Sequence, residues 1–164
     1  MKYFAYGSNM SISRLRKRVP SAESLGCFAL KQHDLRFHKS SKDGSGKCDA
    51  FYTGDEGFTI FGALFEICPT EKPSLDRAEG LGYGYDEKAI IVHASGGSSF
   101  DATTYIATAI DEKLMPYSWY LNHVLIGANE MSLPDEYVQS KICGIQFIYD
   151  PDKQRDLRER AIHS

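Results

Sequence analysis

Apolar residues fall into short runs and alternations over much of the chain and recur at helical spacing near position 120. Tyr3-Phe4-Ala5-Tyr6 has β-forming character and breaks at Gly7-Ser8-Asn9, a strand running into a turn. Ser11 or Ser13 is placed to cap a short helix that carries Ile12, Leu15 and Val19 on one side and stops at Pro20. Its other side holds Arg14, Arg16, Lys17 and Arg18. These read as a solvated face, with attraction of acidic substrates toward the neighbouring turn as the alternative. Residues 25–32 and 35–38 predict strands, and the polar stretch 40–47 predicts a loop. Residues 49–53 and 58–67 predict a hairpin about Gly54-Asp55-Glu56-Gly57, the second strand being apolar enough for the centre of a sheet.

Beyond Pro69, residues 70–78 have helical character, with Thr70 as N-cap and Gly80 as the stop. Leu81-Gly82-Tyr83-Gly84-Tyr85 reads as a loop, and residues 89–94 and 101–108 pair as a hairpin across Ser95-Gly96-Gly97-Ser98. The clearest helix covers 117–128, where Tyr117, Tyr120, Leu121, Val124, Leu125 and Ala128 recur at steps of three and four. Another helix is expected over 133–142 with Pro134 near its start, then a short strand over 144–149. The pattern predicts one α+β domain over residues 1–150, a curled, mainly β core with helices outside it. Residues 151–164 form a charged tail, read as a surface helix or a frayed end.

Composition narrows the function classes. A chain of 164 residues, 42% hydrophobic, is long enough to bury a real core. A net charge of −3 argues against a general nucleic-acid or membrane-surface binder. No apolar run approaches the roughly 18 residues of a membrane span, and no signal-peptide h-region is visible. Cys27, Cys48, Cys68 and Cys143 are widely spaced without a Cys-x-x-Cys pair, so reduced thiols in a cytoplasmic protein are expected.

Most familiar chemistries find no support. The five histidines lack helical pairing and acidic partners at ligand spacing, so no metal is expected, and they read as surface or hydrogen-bonded core residues. Gly-x-Ser-x-Gly is absent, and Ser8 has no evident histidine partner. Gly44-Ser45-Gly46-Lys47 lacks the glycine spacing, the following Ser or Thr and the leading strand of a phosphate loop. A cysteine nucleophile stays open, although no cysteine sits beside a distinctive motif.

Two places remain. Where the opening strand breaks at Gly7, unpaired backbone N–H groups can hold an anionic or carbonyl oxygen; an ordinary turn is the plainer reading. Glu79 falls at a predicted helix C-terminus. There the negative end of the helix dipole favours a raised carboxyl pKa suited to proton transfer; a solvated glutamate before a glycine stop is the plainer reading.

Taken together, Tyr3-Phe4-Ala5-Tyr6-Gly7-Ser8-Asn9 and the later Leu75-Asp76-Arg77-Ala78-Glu79-Gly80 resemble the γ-glutamylcyclotransferase-like (AIG2-like) family. A third stretch, from Trp119-Tyr120 through Gly127-Ala128-Asn129-Glu130 to Leu133-Pro134-Asp135-Glu136-Tyr137, resembles the family's animal-type enzymes. The resemblance implies a small mixed-sheet β-barrel flanked by helices, with neither metal nor organic cofactor. It implies a small γ-glutamyl substrate whose own α-amine attacks its γ-carbonyl, releasing 5-oxoproline and an amine. Glu79 is then the general acid/base, and Tyr3, Phe4, Ala5, Tyr6, Gly7, Ser8 and Asn9 form the binding loop. Tyr85 matches a family tyrosine after the glutamate, with its register open by a residue. Tyr120 matches one near the substrate, or serves the core. The alternatives are a binding or regulatory module without turnover, and a hydrolase or amidotransferase that releases glutamate.

Overall fold

The computed structural model describes all 164 residues. Its elements are β1 (Lys2–Ala5), α1 (Ile12–Arg16), β2 (Glu23–Lys31), β3 (His33–Ser40), β4 (Gly46–Tyr52), β5 (Thr59–Glu66), α2 (Lys72–Glu79), β6 (Tyr85–His93), β7 (Ser99–Ala107), α3 (Ser118–Glu130), α4 (Asp135–Val138) and α5 (Lys153–Arg160). Five strands close a barrel in the order β1-β5-β2-β6-β7, and β3 and β4 make a separate two-stranded sheet. Pairing within the barrel is antiparallel except between β1 and β7, where Tyr3 lies opposite Thr103 in parallel. This is the expected α+β architecture, a small mixed barrel with helices around it.

β5 is central as its apolar run requires, with β1 on one edge and β2 on the other. Phe4, Ile60, Ala63, Leu64 and Phe65 are almost wholly removed from solvent. The hairpin of β6 and β7 forms as predicted but extends further, since Tyr85 opens β6 as a buried residue. The hairpin expected between residues 49–53 and 58–67 does not form: β4 pairs back onto β3 and leaves both edges of β5 to barrel strands. Asp49 supplies a reason. One carboxylate oxygen lies 2.7 Å from His38 Nε2, and the other accepts from the Ala107 N–H at 2.8 Å, so β4 is tied to β3 and to the barrel at once.

Smaller departures have local causes. Residues 69–71 wind as a tight turn before α2, so Thr70 lies inside that turn and does not cap the helix. The helix expected over 133–142 begins after Pro134 and passes after α4 into a wider turn over Gln139–Cys143. Residues 144–149 form no strand, because their β-pairing is limited to a single bridge between Ile148 and Tyr117. Gly127 fits where nothing larger does: a Cβ there would stand 2.5 Å from Met10 Cβ, so α3 packs directly under the turn that follows β1.

The charged tail is helical, and one of its faces is docked. Glu159 Oε2 accepts from Arg14 Nη1 at 2.6 Å and lies 2.9 Å from His123 Nε2. His123 Nδ1 lies 2.5 Å from His163 Nε2. Trp119 Nε1 and the Arg155 guanidinium both donate to the buried Asp150. Burial pushes the Glu159 carboxyl up, but the His123 hydrogen bond and the Arg14 charge more than offset this and hold it at about 2.

A depressed carboxyl pKa stabilises the fold above the unfolded value near 4.5, and that contribution is lost as pH falls toward about 2. Glu159→Ala strands the buried Arg14, so a loss of about 2–3 kcal/mol is expected at neutral pH. In chemical denaturation, the gap between wild type and variant should shrink as pH is lowered through that window. A pH-independent gap would contradict the assignment.

Candidate active site

One end of the barrel holds a cavity of ≈ 220 Å³, sized for a small ligand and not for a polymer. Its wall draws on segments far apart in sequence: the turn after β1, the exit of α1, the ends of β3 and β4, the C-terminus of α2, β7 and α3. Eight of the ten residues expected from sequence line it, namely Tyr3, Tyr6, Gly7, Ser8, Asn9, Glu79, Tyr85 and Tyr120. Phe4 and Ala5 do not. Alternation along β1 turns Phe4 away from Tyr3, and both Phe4 and the Ala5 carbonyl press against the position of Gly62. Within the motif these two residues build the barrel.

Glu79 is placed by the way α2 stops. Gly80 takes the left-handed conformation at φ 66°, its N–H returns to the Arg77 carbonyl, and the Leu81 N–H returns to Asp76. This termination turns the chain sharply at the last helical residue. Asp76, one turn earlier, accepts from Tyr105 Oη at 2.6 Å and pins the helix to β7. Glu79 Oε1 then accepts from Asn9 Nδ2 at 2.7 Å and from Arg18 Nη1 at 3.3 Å. Oε2 has no donor in the protein. Arg18 also donates to Asn9 Oδ1 at 3.0 Å, and Asn9 Nδ2 makes a second contact to Tyr3 Oη at 3.1 Å, which fixes which way the amide points.

The carboxylate expected to face only the negative end of its helix thus has a guanidinium beside it. The sequence reading missed Arg18 and Arg14 by assigning the basic cluster to a solvated face. Arg14 is 8% exposed, and both line the cavity. Their only signal was their closeness to the Gly7 turn, already noted as the alternative.

In the turn after β1, neither the Tyr6 nor the Gly7 backbone N–H finds an acceptor in the protein. The wall is close-packed here: a Cβ on Gly7 would stand 2.9 Å from Cys48 Cβ and 3.2 Å from Tyr120 Oη. Tyr120 Oη accepts from the Cys48 N–H at 2.9 Å, and Tyr85 Oη donates to the Cys48 carbonyl at 2.7 Å. Both tyrosines therefore brace β4 while facing the cavity, so the site and core readings of Tyr120 describe one position. Burial raises the phenols of Tyr3, Tyr6, Tyr85 and Tyr120, keeping them neutral hydrogen-bonding groups. Cys48 lines the cavity as well, but burial pushes its thiol up to about 12, leaving too little thiolate for a nucleophile at neutral pH.

Comparison with known proteins bears directly on this arrangement. The AIG2-like family model matches residues 59–140. A γ-glutamylcyclotransferase of Homo sapiens is 31% identical over 152 residues, spanning 88% of this chain and 78% of the relative. The chain belongs to the γ-glutamylcyclotransferase-like (AIG2-like) family. The Bos taurus γ-glutamylcyclotransferase is 30% identical over the same shares of each chain. A solved γ-glutamyl cyclotransferase superposes with a TM-score of 0.84 at 26% identity, covering 98% of each chain. A yeast γ-glutamyl cyclotransferase specific to glutathione shares the fold at 12% identity, with a TM-score of 0.65.

Proposed function

We propose that the protein is an enzyme that cyclises the γ-glutamyl unit of a small γ-glutamyl amine or peptide to 5-oxoproline and releases the amine. The observation that carries this reading is the 2.7 Å hydrogen bond between Asn9 and Glu79, seventy residues apart, inside a cavity of small-ligand size. Membership of a family whose relatives are named γ-glutamylcyclotransferases supports it.

The reaction needs a base, an oxygen cradle and a folded substrate. Glu79, oriented through Oε1 by Asn9 and Arg18, takes a proton from the α-ammonium at its free Oε2. The amine then attacks the γ-carbonyl carbon, and the new C–N bond closes a five-membered ring. As the old C–N bond breaks, Glu79 returns the proton to the departing nitrogen. A second proton follows the same route, so the ring nitrogen ends as a lactam N–H and the product leaves as an ammonium. The N–H groups of Tyr6 and Gly7 are free to hold a substrate carboxylate or the developing oxyanion. Because the nucleophile is part of the substrate, holding it bent supplies much of the acceleration.

No helix is long and apolar enough to cross a membrane, and all four cysteines are unpaired, which supports a cytoplasmic site of action. The test is product identity. Incubation with γ-glutamyl-alanine, a γ-glutamyl-lysine derivative and glutathione is expected to yield 5-oxoproline from at least one. Free glutamate in its place would indicate a hydrolase, and binding without product a non-catalytic module.

A further inference from the structure

Four cations line the cavity, and three have a carboxylate partner. Arg14 pairs with Glu159 at 2.6 Å, Arg18 with Glu79 at 3.3 Å, and Lys47 with Asp43 at 2.8 Å. Lys39 has none. It is 8% exposed, no carboxylate lies within ion-pair distance, and its ammonium donates no hydrogen bond to the protein. Its one favourable contact is the face of Tyr85, 4.7 Å from Nζ to the ring centre. Burial pushes the Lys39 pKa down, opposed by the more distant charges of Glu79 and Asp43. A cation largely covered by the protein, with only an aromatic face beside it, is poorly compensated, and an anion entering the cavity would complete it.

Its position narrows which anion. A Cβ built on Gly84 would stand 2.8 Å from Lys39 Nζ and 3.5 Å from the Glu79 carbonyl, so the ammonium sits at the turn that leaves Glu79. Under the cyclisation reading, on which this inference rests, the departing nitrogen must come within reach of the Glu79 carboxylate. In a γ-glutamyl amino acid, a carboxylate sits on the carbon attached to that nitrogen. The glutamyl end has other holders, the unpaired N–H groups of Tyr6 and Gly7.

We propose that Lys39 is a specificity-determining residue, which receives a carboxylate carried on the leaving amine beside the departing nitrogen. It discriminates γ-glutamyl amino acids from γ-glutamyl amines that lack this group. Lys47 is less suited, because Asp43 Oδ2 and Ser45 Oγ already accept from its ammonium at 2.8 and 2.7 Å.

The experiment compares kcat/KM for 5-oxoproline formation from γ-glutamyl-alanine and γ-glutamyl-ethylamine, with thermal melts of each variant. Wild type is expected to favour the alanyl substrate by on the order of 10- to 100-fold, the range of a charge-assisted hydrogen bond. Lys39→Met should bring the ratio close to one through loss on γ-glutamyl-alanine, and Lys39→Arg should retain most of the preference. Gly84→Ala, which displaces the ammonium without removing it, should give an intermediate ratio. An equal fall on both substrates in Lys39→Met, or the absence of a wild-type preference, would overturn the assignment. If wild type makes no 5-oxoproline from either compound, the cyclisation reading fails separately only when the γ-glutamyl-lysine derivative and glutathione also yield none. The ratio of the two dissociation constants by calorimetry, wild type against Lys39→Met, then decides the role of Lys39 by the same criterion.

Discussion

Glu79→Gln is expected to lower kcat/KM for 5-oxoproline formation by on the order of 10²- to 10⁴-fold, the usual contribution of a positioned acid/base. The fold should survive. Glutamine keeps an oxygen for Asn9 Nδ2 and Arg18 Nη1 and changes no volume, so the hydrogen bonds that place residue 79 persist. What disappears is the charge opposite Arg18, a partly exposed guanidinium, at a cost of about 1 kcal/mol or less. Melting temperature and product formation, measured on the same preparation, separate the two effects. A variant that melts normally but retains activity within a few-fold of wild type would remove Glu79 from its role.

Gly7→Ala should be nearly as damaging, for a steric reason. The added Cβ would meet Cys48 Cβ at 2.9 Å, an atom fixed directly to the β4 backbone and unable to swing away. It would also crowd Tyr120 Oη, which accepts from the Cys48 N–H. Relief requires the turn to retreat from β4, carrying the Tyr6 and Gly7 N–H groups with it. A shift of this kind is expected to cost about 10²-fold in kcat/KM, with roughly 1–3 kcal/mol lost in stability from overpacking. Steady-state kinetics and chemical denaturation check both values. A fully active Gly7→Ala would show that this turn does not position substrate.

Much of the site was legible because its two halves are compact in sequence. The strand-to-glycine break at Gly7 and the glycine stop after Glu79 are local events, read from residue type alone, and the structure brings them together. Around them the reading failed where neighbours decide. Arg14 and Arg18 sit in a run of four cations that looks solvated, and they are held in the cavity wall by carboxylates 145 and 61 positions away. Lys39 and Lys47 flank a loop of ordinary composition, and only the folding of that hairpin over the barrel end makes them cavity residues. Phe4 and Ala5 show the converse: contiguous letters of a motif divide between cavity and barrel. Gly54 to Gly57 do form a turn between strands, yet β4 had a stronger claim on β3 through His38 and Asp49.

The central claim is that the substrate's own amine, and not water, attacks the γ-carbonyl. Turnover in water enriched in oxygen-18, followed by mass spectrometry of the products, tests this directly. Cyclisation predicts 5-oxoproline without label, because the ring carbonyl keeps the oxygen it had in the substrate. Glutamate bearing one labelled oxygen, or 5-oxoproline carrying label derived from it, would contradict the account.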